Sequence, residues 1–195
     1  ALASARRGSR VLLLTMNLDT VGLMSCNPAI GGLAKGVLVR EIDALGGEMG
    51  QAIDNTGIQF RMLNTKKGPA VQALRAQADK QQYRLYMKHF VENQKNLVLK
   101  QGMLKKILIK DDQITGVETQ FGEIIYSATL ILTPGTFTRG LLHYGKKQIE
   151  GGRAGEGSAN EFSDQLVNLG FKIERMKTGT PPRIDSKTID FKGLE

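Results

Sequence analysis

Tryptophan is absent from this chain, and aromatic residues make up only 6% of it. That leaves few rings on which the bases of a single strand could stack. Cysteine occurs once, as Cys26, which excludes an internal disulfide framework and suits a reducing, cytoplasmic setting. The two histidines, His89 and His143, stand far apart and give no zinc-ligand spacing. No apolar run approaches the roughly 20 residues of a membrane span, and no signal peptide is evident. An initiating Met is also missing. Residues Ala1 to Gly8 read as the last turns of a helix stopped at a glycine, so a preceding strand and its glycine loop are expected before residue 1.

The 195 residues suffice for one domain, or for one and part of another. Hydrophobic residues at 41% and charged residues at 24% are ordinary values for a globular chain. The charge is one-sided: Lys and Arg number 27 against 19 for Asp and Glu, giving +8 and a pI near 9.6. Such a balance favours phosphate-bearing partners; a solvated basic surface accounts for it equally well.

Taken along the chain, Val11 to Leu14 reads as a short buried parallel strand. Helix, glycine and strand together form the second half of a β-α-β unit. Dinucleotide-binding folds usually end this strand with an acidic residue; here Thr15-Met16-Asn17 stands in its place. The loop Ser25 to Gly36 holds Cys26, an Asn-Pro pair, a Gly-Gly pair and Lys35, and has no regular structure by propensity. Its glycines and the helix behind it suit a wall of a cofactor or anion site. A helix is expected over Val37 to Leu45, ended by Gly46-Gly47, then a strand over Ile58 to Leu63 and a basic turn over Asn64 to Pro69. The longest element is expected to be a helix from Ala70 to Asn93. Strands at Leu97–Leu99, Met103–Lys110, Ile114–Thr119 and Ile124–Tyr126 follow, with a hairpin turn at Asp111-Asp112-Gln113. Thr129 to Thr133 reads as a buried strand ending in Pro134-Gly135-Thr136. Beyond about residue 138 lie a polar Gly-rich stretch from Gly145 to Gly157, a helix over Glu161 to Leu169, a strand over Phe171 to Met176 and a rigid basic loop from Lys177 to Arg183.

Cys26 is the one candidate nucleophile: a thiol beside Lys35 and a helix start would have its thiolate favoured. A small packing residue in a tight loop is the alternative. Lys35, Arg61, Lys66, Lys67 and Arg75 are candidates to face phosphates, each with a solvated charge as its alternative. Arg183 follows Pro181-Pro182, a preorganised setting for a phosphate or carboxylate contact. His89 is assigned to the long helix as a structural residue, and His143 receives no role.

Parallel strand, long loop, helices, antiparallel meander, buried strand and glycine turn make up the layout of a two-dinucleotide-binding flavoprotein domain. At this point the residues resemble a known family. Met24-Ser25-Cys26-Asn27-Pro28-Ala29-Ile30-Gly31-Gly32, Lys35-Gly36 and Glu41-Ile42-Asp43-Ala44-Leu45-Gly46-Gly47 are similar to the FAD-containing subunits of tRNA uridine 5-carboxymethylaminomethyl modification enzymes, the MnmG or GidA family. So are Lys67-Gly68-Pro69-Ala70-Val71, Leu74 to Asp79, Gly135-Thr136-Phe137, Gly151 to Gly155, Leu169-Gly170-Phe171 and Lys177 to Asp185, in family order over the whole chain.

The resemblance implies an α/β fold: a Rossmann-like FAD-binding domain with an antiparallel β-meander, incomplete at both ends, over residues 1–137. The start of an inserted substrate- or NADH-side α/β domain is then expected over residues 138–195. The chain is accordingly read as an N-terminal piece, inactive alone. The family's activity is modification of the wobble uridine of certain tRNAs, with FAD, NADH as reductant, methylenetetrahydrofolate as one-carbon donor, and a homodimer joined to the GTPase MnmE in a heterotetramer. Carried over by residue, the resemblance implies flavin contacts at Leu104 and Ala159; Asn27, Gly31, Gly32 and Lys35 of the first loop and Thr133, Gly135 and Thr136 of the glycine turn are the further cofactor-site candidates. With tRNA as the expected substrate, Lys67, Arg75, Lys177 and Arg183 are the candidates to contact it. Ala159 stands where the family often has Ser, and Pro134 differs from the smaller or aliphatic residue expected there. The rival readings are a folate- and FAD-dependent tRNA uridine-5-methyltransferase and a non-catalytic tRNA-binding protein with a flavin fold.

Overall fold

Helices and strands alternate only at the start. The elements, in chain order, are α1 (Leu2–Arg6), β1 (Val11–Thr15), β2 (Ala29–Gly31), α2 (Lys35–Ala44), α3 (Met49–Thr56), β3 (Gly57–Leu63), β4 (Ala73–Ala78) and α4 (Lys80–Asn93). They continue with β5 (Leu97–Gln101), β6 (Leu104–Lys110), β7 (Gln113–Thr119), β8 (Ile124–Tyr126), β9 (Leu141–Tyr144), β10 (Lys147–Glu150) and α5 (Glu161–Asn168). These come from a computed structural model, which describes residues 1–179 and 184–193. The architecture is mixed α/β, as expected, with parallel and antiparallel sheets.

β1 and β5 pair in parallel, Val11 opposite Leu97 through Thr15 opposite Gln101. Side chains alternate across a strand, so one face carries Val11, Leu13, Leu97 and Leu99. That face packs on Leu2 and Ala5 of α1 and on Val91 of α4. The other face leaves Leu12 and Val98 exposed. A second core joins Ala52 and Ile53 of α3 to Ala76 and Ala78 of β4 and to Tyr83 of α4. α4 serves both cores: Tyr83, Met87 and Val91 recur every four residues along one stripe, and Met87 touches each cluster. Glu48 ties α1 to this block. Its buried carboxylate pairs with Arg6 and accepts a 2.9 Å hydrogen bond from Tyr86.

The expected helix from Ala70 to Asn93 is two elements. Residues 73–78 form β4, the centre of an antiparallel sheet ordered β2-β4-β3. Ala, Leu, Arg and Gln favour helix intrinsically, but pairing on both edges overrides that preference. The small Ala76 and Ala78 also let α3 approach closely. The helix starts only after Asp79, whose side chain accepts from the amides of Gln81 and Gln82, each at 2.9 Å. Pro69 opens a 3-10 turn over Pro69–Val71 instead of a long helix. The loop expected between Ser25 and Gly36 contains strand β2. α2 begins at Lys35 and not at Val37. α3 and the β9–β10 hairpin are elements that periodicity did not suggest.

The meander is as expected. β6, β7 and β8 pair antiparallel, and Asp111 and Asp112 both take positive φ, the geometry of a two-residue hairpin loop. β6 is an edge strand, and α5 covers it. The Gln165 side chain accepts from the Ile107 amide at 2.7 Å and donates to the Ile107 carbonyl at 2.6 Å, satisfying both groups of that edge residue. Two expected strands are absent from the described residues. Thr129 to Thr133 has no ladder partner there, and Ile131 is exposed; Phe171 to Met176 is unpaired and exposed. A strand needs a neighbour for its backbone groups, and neither segment has one among the described residues. No helix there is long and apolar enough to cross a membrane, and no group of three or more His, Cys, Asp or Glu is placed to hold a metal ion.

Candidate functional site

The loop from Ser25 to Gly36 is held against β4 at both ends. The Pro28 carbonyl accepts from the Ala78 amide at 2.6 Å, and the Gly32 amide donates to the Leu74 carbonyl at 2.7 Å. Gly31 and Gly32 have φ of +85° and +96°. A Cβ on Gly31 would stand 2.3 Å from the Leu74 carbonyl oxygen, so glycine is required there by contact as well as by conformation. The chain then enters α2 through Ala34 at φ +58°, with no side-chain cap. The amides of Lys35, Gly36 and Val37 donate to Leu33, Gly32 and Ala34. Those donors are already engaged. The loop therefore acts as a rigid wall, and these backbone N–H groups form no open anion cradle.

Cys26 is half-buried and donates a 3.3 Å hydrogen bond to the Gly179 carbonyl. This contact joins residues 153 positions apart and brings the Ser-Cys-Asn-Pro loop against the Lys-Thr-Gly loop. The Nζ of Lys177 lies over the same glycine, 3.9 Å from where its Cβ would be. The segment leading there, expected as a strand, is a strap. Arg175 donates to the Arg139 carbonyl at 3.1 Å, and four residues later Gly179 meets Cys26.

Arg139 belongs to a second knot. The Thr136 hydroxyl donates to the Gly152 carbonyl at 2.6 Å, and the Ala159 amide donates to the Phe137 carbonyl at 2.8 Å. Phe137 lies so close under Gly152 that a Cβ there would be 2.2 Å from the ring. The Arg153 guanidinium stands 5.3 Å from the centre of that ring. Glu150 closes the knot by accepting from Ser158 at 2.7 Å and from Asn160, and these two bonds hold its carboxyl below the usual range. Gly135, at φ +59°, has open space where a Cβ would point, so its bare backbone is open to a ligand's approach.

A solved structure of Aquifex aeolicus GidA matches all of this chain and 32% of its own, with a TM-score of 0.93 and 54% identity. A family model described as glucose inhibited division protein A matches residues 1–195. The chain belongs to the GidA family. Two curated GidA-family relatives, from Geobacter metallireducens and Geobacter sulfurreducens, are named tRNA uridine 5-carboxymethylaminomethyl modification enzyme MnmG. They are 61% and 60% identical over 195 residues. The chain spans 31% of the length of each.

Within this GidA-family chain the expected site residues fall in three places. Asn27, Gly31, Gly32 and Lys35 line the first loop. Arg75 lies directly opposite Gly31 in the sheet, and Lys67 stands in the exposed β3–β4 connection. Thr136 and Ala159 share the second knot with Gly135, and exposed Thr133 precedes it. Leu104 starts β6 opposite Thr119, in a different sheet. Arg183 lies outside the described residues. Two open clefts, of about 260 and 400 Å³, are lined by α1 and α4 and by α2 and α3, and no expected site residue lines either. Sequence reasoning passed over two partners: Gly179 as the acceptor for Cys26, and Arg61 as the cross-strand neighbour of Arg75. Nothing local signalled either, because both depend on register and loop packing.

Proposed function

We propose that this chain forms the flavin-binding part of an FAD-dependent enzyme that modifies C5 of the wobble uridine in certain tRNAs. It installs a carboxymethylaminomethyl or aminomethyl group together with the GTPase MnmE. The observation that carries this is the unbroken match of all 195 residues to the GidA family, at 61% identity to a relative named for that modification. The proposed division is a flavin domain over residues 1–137 and an inserted substrate- or NADH-side domain from 138. A cytoplasmic homodimer assembles with MnmE into a heterotetramer.

FAD fits the residues present. Gly135 offers bare backbone beside open space, and Asn27 and Lys35 are exposed on a rigid wall. Gly135, Thr133, Thr136, Asn27 and Lys35 would hold the cofactor, with Leu104 contributing backbone. Gly31, Gly32 and Ala159 shape the walls, since the Gly32 and Ala159 amides are engaged within the chain. Bound FAD supplies redox chemistry, with NADH as reductant and methylenetetrahydrofolate as the one-carbon source. Cys26, held by the Gly179 carbonyl, is the candidate nucleophile. Lys67, Arg75, Lys177 and Arg183 hold tRNA.

The test is nucleoside analysis of tRNA from cells lacking the full gene and from complemented cells. Complementation should restore the aminomethyl-type side chain at the wobble uridine. 5-Methyluridine in its place would point to the methyltransferase. A colourless full-length protein that cannot be reconstituted with FAD would point to a non-catalytic scaffold.

A further inference from the structure

Strands β2, β4 and β3 place Gly31, Arg75 and Arg61 in one row, each directly opposite the next. Directly opposed residues point to the same face of a sheet. Ile30, Ala76 and Phe60 form the neighbouring row on the other face, where Ile30 and Ala76 belong to the core beneath α3 and α4. The arginine row therefore points away from that core. Arg61 is exposed and Arg75 half-buried. Like charges directly across a strand pair repel, and sequences usually relieve this with a nearby carboxylate. Here neither guanidinium has an ion pair or side-chain hydrogen bond among the described residues. The whole β3–β4 hairpin, residues 57–78, carries Arg61, Lys66, Lys67 and Arg75 and no Asp or Glu at all. The third position of the row is glycine, so no side chain crowds Arg75 from β2. A pair of forked donors side by side on a hairpin without acidic residues matches a phosphate oxygen set.

We infer that the Arg61–Arg75 pair is a phosphodiester-binding element that grips the backbone of the RNA substrate. The two guanidiniums contact phosphates, and the lysines of the hairpin turn extend the track. The RNA as occupant rests on the function proposed above; the phosphate chemistry rests on the sheet alone. A basic hairpin without acids, running from half-buried Arg75 to exposed Arg61, Lys66 and Lys67, suits a nucleic-acid backbone, whereas a single buried pyrophosphate is usually held at glycine-rich amides.

The experiment uses the full chain, loaded with FAD, and unmodified tRNA. Affinity is measured across a salt series for wild type, Arg61→Gln/Arg75→Gln, Arg61→Lys/Arg75→Lys, and the charge-matched control Lys110→Gln/Lys147→Gln. Losing two phosphate contacts should weaken binding roughly 25- to 60-fold near 0.1 M salt and reduce the salt slope by about 1.4 to 1.8. The lysine variant should recover most of the slope, and the control should match wild type. The glutamine variant should melt no lower than wild type, because a repulsive pair has been removed; a residue serving only the fold would lower it. Unchanged tRNA affinity in the glutamine variant overturns the inference. So does loss of FAD with tRNA affinity retained, which would assign the phosphate to the flavin. A wild-type protein that binds no tRNA would overturn the proposed function as well, and is thereby distinguished from failure of the arginine pair alone.

Discussion

Gly31 and Gly32 provide a matched pair for separating backbone conformation from steric contact. Both have positive φ, so alanine at either carries the left-handed penalty of about 1–2 kcal/mol. Their surroundings differ. A Cβ at Gly32 meets nothing within 4 Å, whereas at Gly31 it stands 2.3 Å from the Leu74 carbonyl oxygen. That oxygen cannot turn away without giving up the 2.7 Å bond from the Gly32 amide. Gly31→Ala must therefore push β2 off β4. Overpacking of this kind costs about 1–3 kcal/mol, and the lost hydrogen bond about 1 kcal/mol more. The expected totals are about 3–6 kcal/mol for Gly31→Ala and about 1–2 kcal/mol for Gly32→Ala. Urea unfolding of the FAD-loaded full chain, read at unchanged m-value, measures both. Equal losses at the two positions would refute the claim that contact with Leu74, and not conformation alone, demands glycine at 31.

Glu48→Ala should lower stability by about 1–3 kcal/mol in the same assay, because it leaves the half-buried Tyr86 hydroxyl without its acceptor, while the exposed Arg6 keeps Gln94 and the Gly46 carbonyl; no loss at all would contradict that pairing. Asp79→Ala removes the cap that starts α4 and should cost about 1 kcal/mol, with Asp79→Asn nearly neutral. Melting temperature against pH should show an acid limb. Lys88 holds the Asp19 carboxyl low, and Ser158 and Asn160 hold Glu150 low, so their stabilisation is complete above about pH 5. It is lost as pH falls through the lower folded values, and Asp19→Asn with Glu150→Gln should flatten that limb. On the alkaline side, burial and then Glu48 push Tyr86 up to about 12. The unfolded phenol ionises first, so stability should fall from about pH 10 upward, and Tyr86→Phe should weaken that decline.

Much of the fold was legible wherever local chemistry decides the outcome. Gly8 stopping α1, the Val11–Leu14 run, the Asp111-Asp112 turn and the helix at 161–168 all follow from propensity, caps and turn residues acting over a few positions. The family could be read from motif order alone. Tertiary structure decided the rest. Ala73 to Ala78 has a helical composition, yet it is a strand because β2 and β3 offer ladders on both edges. Thr129 to Thr133 has a strand composition, yet it lacks a ladder partner among the described residues. Backbone hydrogen bonds, which a strand can make only with a distant segment, outweigh a few tenths of a kcal/mol of intrinsic preference per residue. The same holds for the site. Sequence alone singled out Cys26, Arg75 and the two loops as chemically distinctive residues. That Cys26 meets Gly179 across 153 positions, and that Arg75 stands between Gly31 and Arg61, depends on register and loop packing, which no local signal encodes.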